Sequence, residues 1–202
     1  MNLNDEYRTI LAPTTANFRD KGSRFLGFAF PVTNTEAIKA TLDELKSKYY
    51  DATHHCYAWV LGQERSNYRI NDDGEPSGSA GRPIYGQILS ADLTNVLLVV
   101  VRYYGGTKLG VPGLINAYKT TAREVIDAAE KVTKLVCLSY QLSFQYTNMN
   151  QVMKTLKDGG AAIENTEFNN TCRLLFTSPR QEAQKIILKL QNLDGVLVEE
   201  VK

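Results

Sequence analysis

Three stretches of this chain carry side chains that can do chemistry, and each is too polar for a core and too elaborate for an ordinary turn. Asp51-Ala52-Thr53-His54-His55-Cys56 holds both histidines of the protein. Imidazole can move protons, ligate a metal or contact phosphate. Adjacent positions at the start of a strand point to opposite faces, so one histidine at most turns toward a common site. His54 and Cys56 share a face, but no third residue is evident to orient them as base and nucleophile. A capping histidine beside a buried thiol is the plainer alternative.

The second stretch, Asn71 to Gly81, crowds Asp72, Asp73, Glu75, Ser77 and Ser79 among Gly74, Gly78 and Gly81. Its carboxylates offer hard oxygen ligands for a divalent cation, although the spacing is not that of the calcium loop D-x-[DN]-x-[DN]-G. Turn formation by Asp-Gly and Pro-Ser-Gly explains the same composition without a ligand. The third stretch is Arg102-Tyr103-Tyr104-Gly105-Gly106-Thr107-Lys108-Leu109-Gly110-Val111-Pro112-Gly113. It lies between an apolar strand and a helix, where glycines admit a ligand to the backbone and helix-terminal amides favour an anion. Arg102 and Lys108 add charge, and Tyr103 and Tyr104 can stack on an exposed base. Neither G-x-x-x-x-G-K-[ST] nor G-x-G-x-x-G is present, so no nucleotide fingerprint is met. The glycines could equally serve a tight crossover, with Arg102 paired to Asp72 or Asp73. Tyr57, Trp59 and Tyr85 read as packing aromatics.

The elements that must position these stretches follow from hydrophobic period. Val96 to Val101 is continuously apolar and reads as a central strand buried on both faces, followed by a helix from about Pro112 to Ala129. Strands are expected near Arg8 to Leu11, Phe25 to Val32, Cys56 to Leu61 and Tyr68 to Ile70, with a short helix from Arg82 to Leu89. Thr33-Asn34-Thr35-Glu36 reads as a capping box before a helix with Ile38, Leu42 and Leu45 inward.

The last third is more regular. Leu138, Tyr140, Leu142 and Phe144 alternate with polar residues as a half-buried strand. Met149, Val152, Met153 and Leu156 then fall at helical spacing behind Asn148 as cap, ended by Gly159-Gly160. A hairpin turning at Asn169-Asn170 leads to a second helix opened by the capping box Ser178-Pro179-Arg180-Gln181, with proline in its first turn, and Val196 to Val201 closes as a strand. The order βαββαβ is the ferredoxin-like unit, so the fold class is α+β with domains at 1–131 and 132–202, joined by the polar stretch Lys131 to Lys134.

Bulk composition narrows the functions. The formal charge of +1 over 202 residues excludes a whole-protein electrostatic footprint, so DNA is not expected as a partner and any RNA contact must be local. Leu93 to Arg123 supplies such a patch, with Arg102, Lys108, Lys119 and Arg123 and no acid. No apolar run is long enough for a membrane span, and the start of the chain lacks a signal peptide's apolar core, so a cytoplasmic location is expected. Cys56, Cys137 and Cys172 are too few and too far apart for a disulfide framework or zinc site, and read as buried thiols.

The three stretches, in this order, resemble the signature of the YigZ/IMPACT family: His54-His55-Cys56-Tyr57-Ala58, then Asp72 to Pro83, then Val100 to Leu114, preceded by Gly22-Ser23-Arg24-Phe25-Leu26-Gly27. Small departures stand at Ser79, where threonine is usual, and at Val111-Pro112. The resemblance implies an N-terminal domain like domain 2 of ribosomal protein S5 and a C-terminal domain like the last domain of elongation factor G. Eukaryotic IMPACT proteins regulate translation, by a mechanism needing an RWD domain that is not found in these residues. The expected role is a non-enzymatic module for RNA, the ribosome or a translation factor, with the Arg102 to Gly113 loop taking an anionic ligand and the C-terminal sheet as a second surface. The rival is a metal-assisted hydrolase or phosphoryl-transfer enzyme. There Asp72, Asp73 and Glu75 would hold the cation, His54 or His55 would move a proton, and Arg102 with Lys108 would neutralise phosphate.

Overall fold

The computed structural model describes residues 5–167 and 171–201. They form two compact units, one of Tyr7–Lys134 and one of the described residues from 135 onward together with Asp5 and Glu6. Phe168 and the turn expected at Asn169-Asn170 lie outside the described residues.

The first ten elements are β1 (Glu6–Ile10), β2 (Thr14–Asp20), β3 (Ser23–Pro31), α1 (Thr35–Lys48), β4 (His54–Leu61), β5 (Asn67–Asn71), α2 (Gly81–Ser90), β6 (Val96–Tyr103), α3 (Gly110–Ala128) and β7 (Lys131–Leu135). Five strands form an antiparallel sheet in the order β2-β3-β6-β4-β5. β6 is central, as its unbroken apolar run requires. Val96, Leu98 and Val100 join a core with Ile84 and Ile88 of α2 and Ala117, Tyr118 and Val125 of α3. Leu97, Val99 and Val101 face the other way, onto Ile38 and Leu45 of α1. Helices therefore cover both faces of this sheet, and every side chain of the strand from Val96 to Val101 is fully buried.

Three local expectations are corrected. The stretch read as a polar joint, Lys131 to Lys134, is strand, because pairing with β1 is a backbone interaction that needs no apolar face. β2 was not expected at all: only Ala16 and Phe18 mark its inward side. The cap of α1 is Asn34 and not Thr33, with Asn34 Oδ1 accepting the Ala37 amide at 2.8 Å.

The second unit runs β8 (Cys137–Gln145), α4 (Met149–Asp158), β9 (Ala162–Glu167), β10 (Thr171–Pro179), α5 (Arg180–Gln191) and β11 (Leu197–Val201). Its antiparallel sheet has the order β11-β8-β10-β9, which is the expected βαββαβ arrangement. Tyr140, Leu142 and Phe144 of β8 and Cys172, Leu174 and Phe176 of β10 pack on Val152 and Leu156 of α4 and Ala183, Ile186 and Leu190 of α5. Neither expected cap in this unit forms. β10 stays paired with β8 through Pro179, so buried Ser178 is held in the strand and α5 begins only at Arg180. Asn148 donates its side-chain amide to the Asp194 carbonyl at 2.7 Å instead of capping α4. Cys137 is exposed, so only Cys56 and Cys172 are the buried thiols expected of all three.

Candidate functional site: a cation-lined cavity beside a helix start

The β4–β6 register sets His54 opposite Arg102. Both continue the alternation that sends Cys56 and Ala58 of β4, with Leu98 and Val100 of β6, toward α2 and α3, so both reach the same end of that face. His55 points to the opposite face, where its Nε2 lies 3.1 Å from the Tyr49 carbonyl and burial lowers its pKa. Of the two histidines, His54 belongs to the site.

The loop from Asn71 to Gly81 folds around its own carboxylates. Asp72 Oδ1 accepts the amides of Ala80 and Gly81 at 3.0 and 2.8 Å, and Oδ2 accepts that of Gly78 at 2.9 Å. The carboxylate thus satisfies orphan donors at the start of α2, where the helix dipole also favours it. Desolvation alone would raise the Asp72 pKa, but these amides, with Arg82 nearby, more than offset it and hold the group below the usual carboxylate value. Asp73 has φ +43° and Gly74 φ +87°. This left-handed turn lets Asp73 accept the His55 amide on its carboxylate at 2.6 Å and His54 Nδ1–H on its carbonyl at 2.7 Å. A carbonyl can only accept, so Nδ1 carries a proton and Nε2 is the ring atom left for the site.

The same turn sends Glu75 inward. Its side chain is 3% exposed, and Oε1 accepts Arg102 Nη1 at 2.5 Å and the Tyr118 hydroxyl at 2.7 Å, with His54 Nε2 at 3.8 Å. The partner of Arg102 is therefore Glu75, not Asp72 or Asp73, whose oxygens are engaged by backbone amides. Cys56 donates its thiol to the Asp72 carbonyl at 3.0 Å, and burial pushes its pKa far up, which leaves no thiolate nucleophile. Asp72, Asp73 and Glu75 do not converge on one point, and no group of three or more metal-capable side chains forms among the described residues.

A cavity of about 420 Å³ opens beside this cluster. His54, Glu75, Arg102, Lys108 and Gly110 line it, and Pro76, Leu109, Val111 and Leu114 supply apolar wall. Arg102 is only 5% exposed, and its Nε has no hydrogen-bond partner among the described residues. Its guanidinium carbon lies 5.6 Å from the ring centre of Tyr104, which also lines the cavity. The first turn of α3 has no side-chain cap and no acidic residue. An anion would meet a buried guanidinium, an ammonium group and unbonded helix-terminal donors here.

Of the residues singled out in the sequence, His54, Glu75, Arg102, Tyr104, Lys108 and Gly110 meet at this cavity. Tyr103 turns away and donates its hydroxyl to Asp51 Oδ1 at 2.7 Å. Ser79 is buried in its loop and donates to the Pro76 carbonyl at 2.6 Å, while Ser77 is exposed and outside the lining. Gly105 packs on Gly22 so closely that a Cβ there would collide with the Gly22 backbone. Gly106 serves a left-handed turn at φ +83°, and Gly113 leaves room for Leu109. Sequence reasoning missed Tyr118 and the apolar wall. Tyr118 sits in the buried stripe of α3 with Ala117, Thr121, Ala122 and Val125, and a fully buried tyrosine needs a partner for its hydroxyl, which was the available signal.

The fold and cavity define a two-unit α+β protein with a pocket lined by Arg102, Lys108, His54 and Glu75 at one end of its first sheet. The family model described as the Impact N-terminal domain matches residues 21–126, and the chain belongs to the IMPACT family. It is similar to the IMPACT family member YigZ of Escherichia coli, at 30% identity over 181 residues and 89% of each chain. A crystal structure described as that of a hypothetical protein is 27% identical, covers 99% of both chains and superposes with a TM-score of 0.80. The two-domain translational regulator Yih1 is 31% identical over 64% of this chain and 49% of its own, with a TM-score of 0.36. The family resemblance seen in the three polar stretches is thus borne out. No helix among the described residues is long and apolar enough to cross a membrane.

Proposed function

We propose that this chain is a translation-associated regulatory module that binds RNA, alone or on the ribosome, through the cavity beside α3, and that it does so without catalysing a reaction. Membership of a family whose eukaryotic members the resemblance ties to translational control supports the setting. The observation that carries the binding site is Arg102, which is buried, lines the cavity and keeps Nε unpartnered among the described residues, next to an uncapped helix start. Lys108 adds a second cation, and the half-exposed Tyr104 offers a stacking surface above the guanidinium. The carboxylates that a metal-assisted enzyme would need are engaged elsewhere: Asp72 with helix amides, Glu75 with Arg102 and Tyr118. The outer face of β8 and β10, with Ser139, Gln141, Ser143 and Arg173, is a second polar surface for the same partner.

The test is binding of fluorescent single-stranded RNA and of ribosomes at two salt concentrations, comparing the wild type with Lys108→Ala. Lys108 is exposed and outside the Glu75 network, so the variant should fold as the wild type does by circular dichroism. The expected result is weaker binding with a salt dependence shallower by about one phosphate contact. Absence of RNA and ribosome binding by the wild type would overturn the reading.

A further inference from the structure

Resting on that reading, we infer that the cavity recognises a terminal phosphomonoester on a nucleotide, so that the protein reads an RNA end and not the continuous backbone. Depth within the cavity separates the two kinds of phosphate. Glu75 and Arg102 are 8% and 5% exposed, whereas Tyr104 and Val111 at the same cavity are 47% and 46% exposed and Lys108 is exposed. The cavity therefore has a buried charged floor and an aromatic, apolar and cationic rim. A phosphodiester inside a strand is flanked by two sugars and cannot bring its oxygens to the floor without burying both. A terminal phosphate has one substituent, can enter first, and leaves its ribose and base at the rim beside Tyr104.

Charge favours the same group. A phosphomonoester carries about −1.5 to −2 at neutral pH and presents three strong acceptor oxygens. The floor offers the Arg102 guanidinium, 5% exposed and with its Nε unpartnered among the described residues, and the start of α3 offers the amides of Gly110 and Val111, with Pro112 contributing none. Among the residues lining the cavity Glu75 alone is a carboxylate, and Arg102 with the Tyr118 hydroxyl already holds its Oε1. Lys108 then supplies charge that no other carboxylate in the lining opposes. The volume of about 420 Å³ lies within the range of small-ligand pockets and suits one nucleotide, not a tract of strand.

The experiment uses the full chain and one RNA sequence in three forms: 5′-phosphorylated, 3′-phosphorylated, and hydroxyl at both ends. Affinity is read by fluorescence anisotropy, with the matching nucleoside monophosphate and inorganic phosphate as competitors. Val111→Trp is the informative variant, because it narrows the rim at a half-exposed position and leaves every charge in place; circular dichroism and a thermal melt confirm its fold. One phosphorylated end should bind about tenfold or more tightly than the hydroxyl form, and Val111→Trp should erase that preference. Equal binding of all three RNAs would overturn the inference while leaving RNA binding intact. Binding of the free monophosphate as tightly as the phosphorylated RNA would support a phosphomonoester pocket and count instead against RNA as the partner. No binding of any phosphorylated species would overturn both.

Discussion

The sheet of residues 137–201 buries one face and leaves the other uncovered, whereas the sheet around β6 is covered by helices on both faces and carries its buried charge only at the strand's end, at Arg102. The difference governs what polar residues do in each. Ser139, Gln141 and Ser143 lie on the uncovered side, so they can be solvated and need no particular partner. Arg102 has no such outlet, so it must be matched by Glu75, which is in turn matched by Tyr118. The first unit has therefore concentrated interdependent polar groups at one end of its sheet, and the cavity is built on them.

The largest expected effect breaks that interdependence. Glu75→Ala removes the counter-ion of a buried guanidinium, and a loss of about 3–5 kcal/mol in urea unfolding is expected. A loss below about 1 kcal/mol would mean that Arg102 reaches water without Glu75, and that the cluster is not internally matched.

The corresponding test in the second unit is apolar. Leu142 is fully buried against α4 and α5, and Leu142→Ala should cost about 2–5 kcal/mol by cavity formation. Hydrogen exchange of the β8 amides is the readout. In contrast, Ser143→Ala on the outer face should change stability by no more than about 0.5 kcal/mol. A large effect at Ser143 would blur the distinction between a covered and an uncovered face.

A smaller effect concerns the Asp72 carboxylate. Its folded pKa is depressed by amide donors from Gly78, Ala80 and Gly81, so its contribution is present above the unfolded carboxylate pKa and lost as pH falls through the folded value. Thermal melts between about pH 6 and pH 2 should fall more steeply for the wild type than for Asp72→Asn, with the two curves approaching each other at the acid end. Parallel curves would show that Asp72 is not a charge-dependent anchor of α2.

How legible each region was follows from the same contrast. The βαββαβ order could be read directly, since alternation at Leu138 to Phe144 and helical spacing at Met149 to Leu156 each report one buried face. The central position of β6 was legible for the opposite reason: an unbroken apolar run fits only a strand covered twice. Capping was less legible, because Ser178 has cap chemistry but is held by strand pairing to Leu138. At the site, Arg102, Lys108, His54 and Glu75 stood out by type, but their pairing did not. Which carboxylate meets Arg102 depends on the left-handed turn at Asp73 and Gly74, and which histidine faces the cavity depends on the register that sets His54 opposite Arg102. Tyr118 belongs to the apolar stripe of α3 and was concealed by it.

The most direct measurement of the central claim is a chemical-shift titration of the isotope-labelled protein with 5′-phosphorylated RNA, following backbone amides and arginine Nε–H signals. The largest changes are expected at Lys108 to Gly113, Tyr104 and the Arg102 Nε–H, with saturable behaviour that is lost in Lys108→Ala. Changes confined to the β8 and β10 strands, with the Arg102 Nε–H and the start of α3 unmoved at saturation, would contradict it.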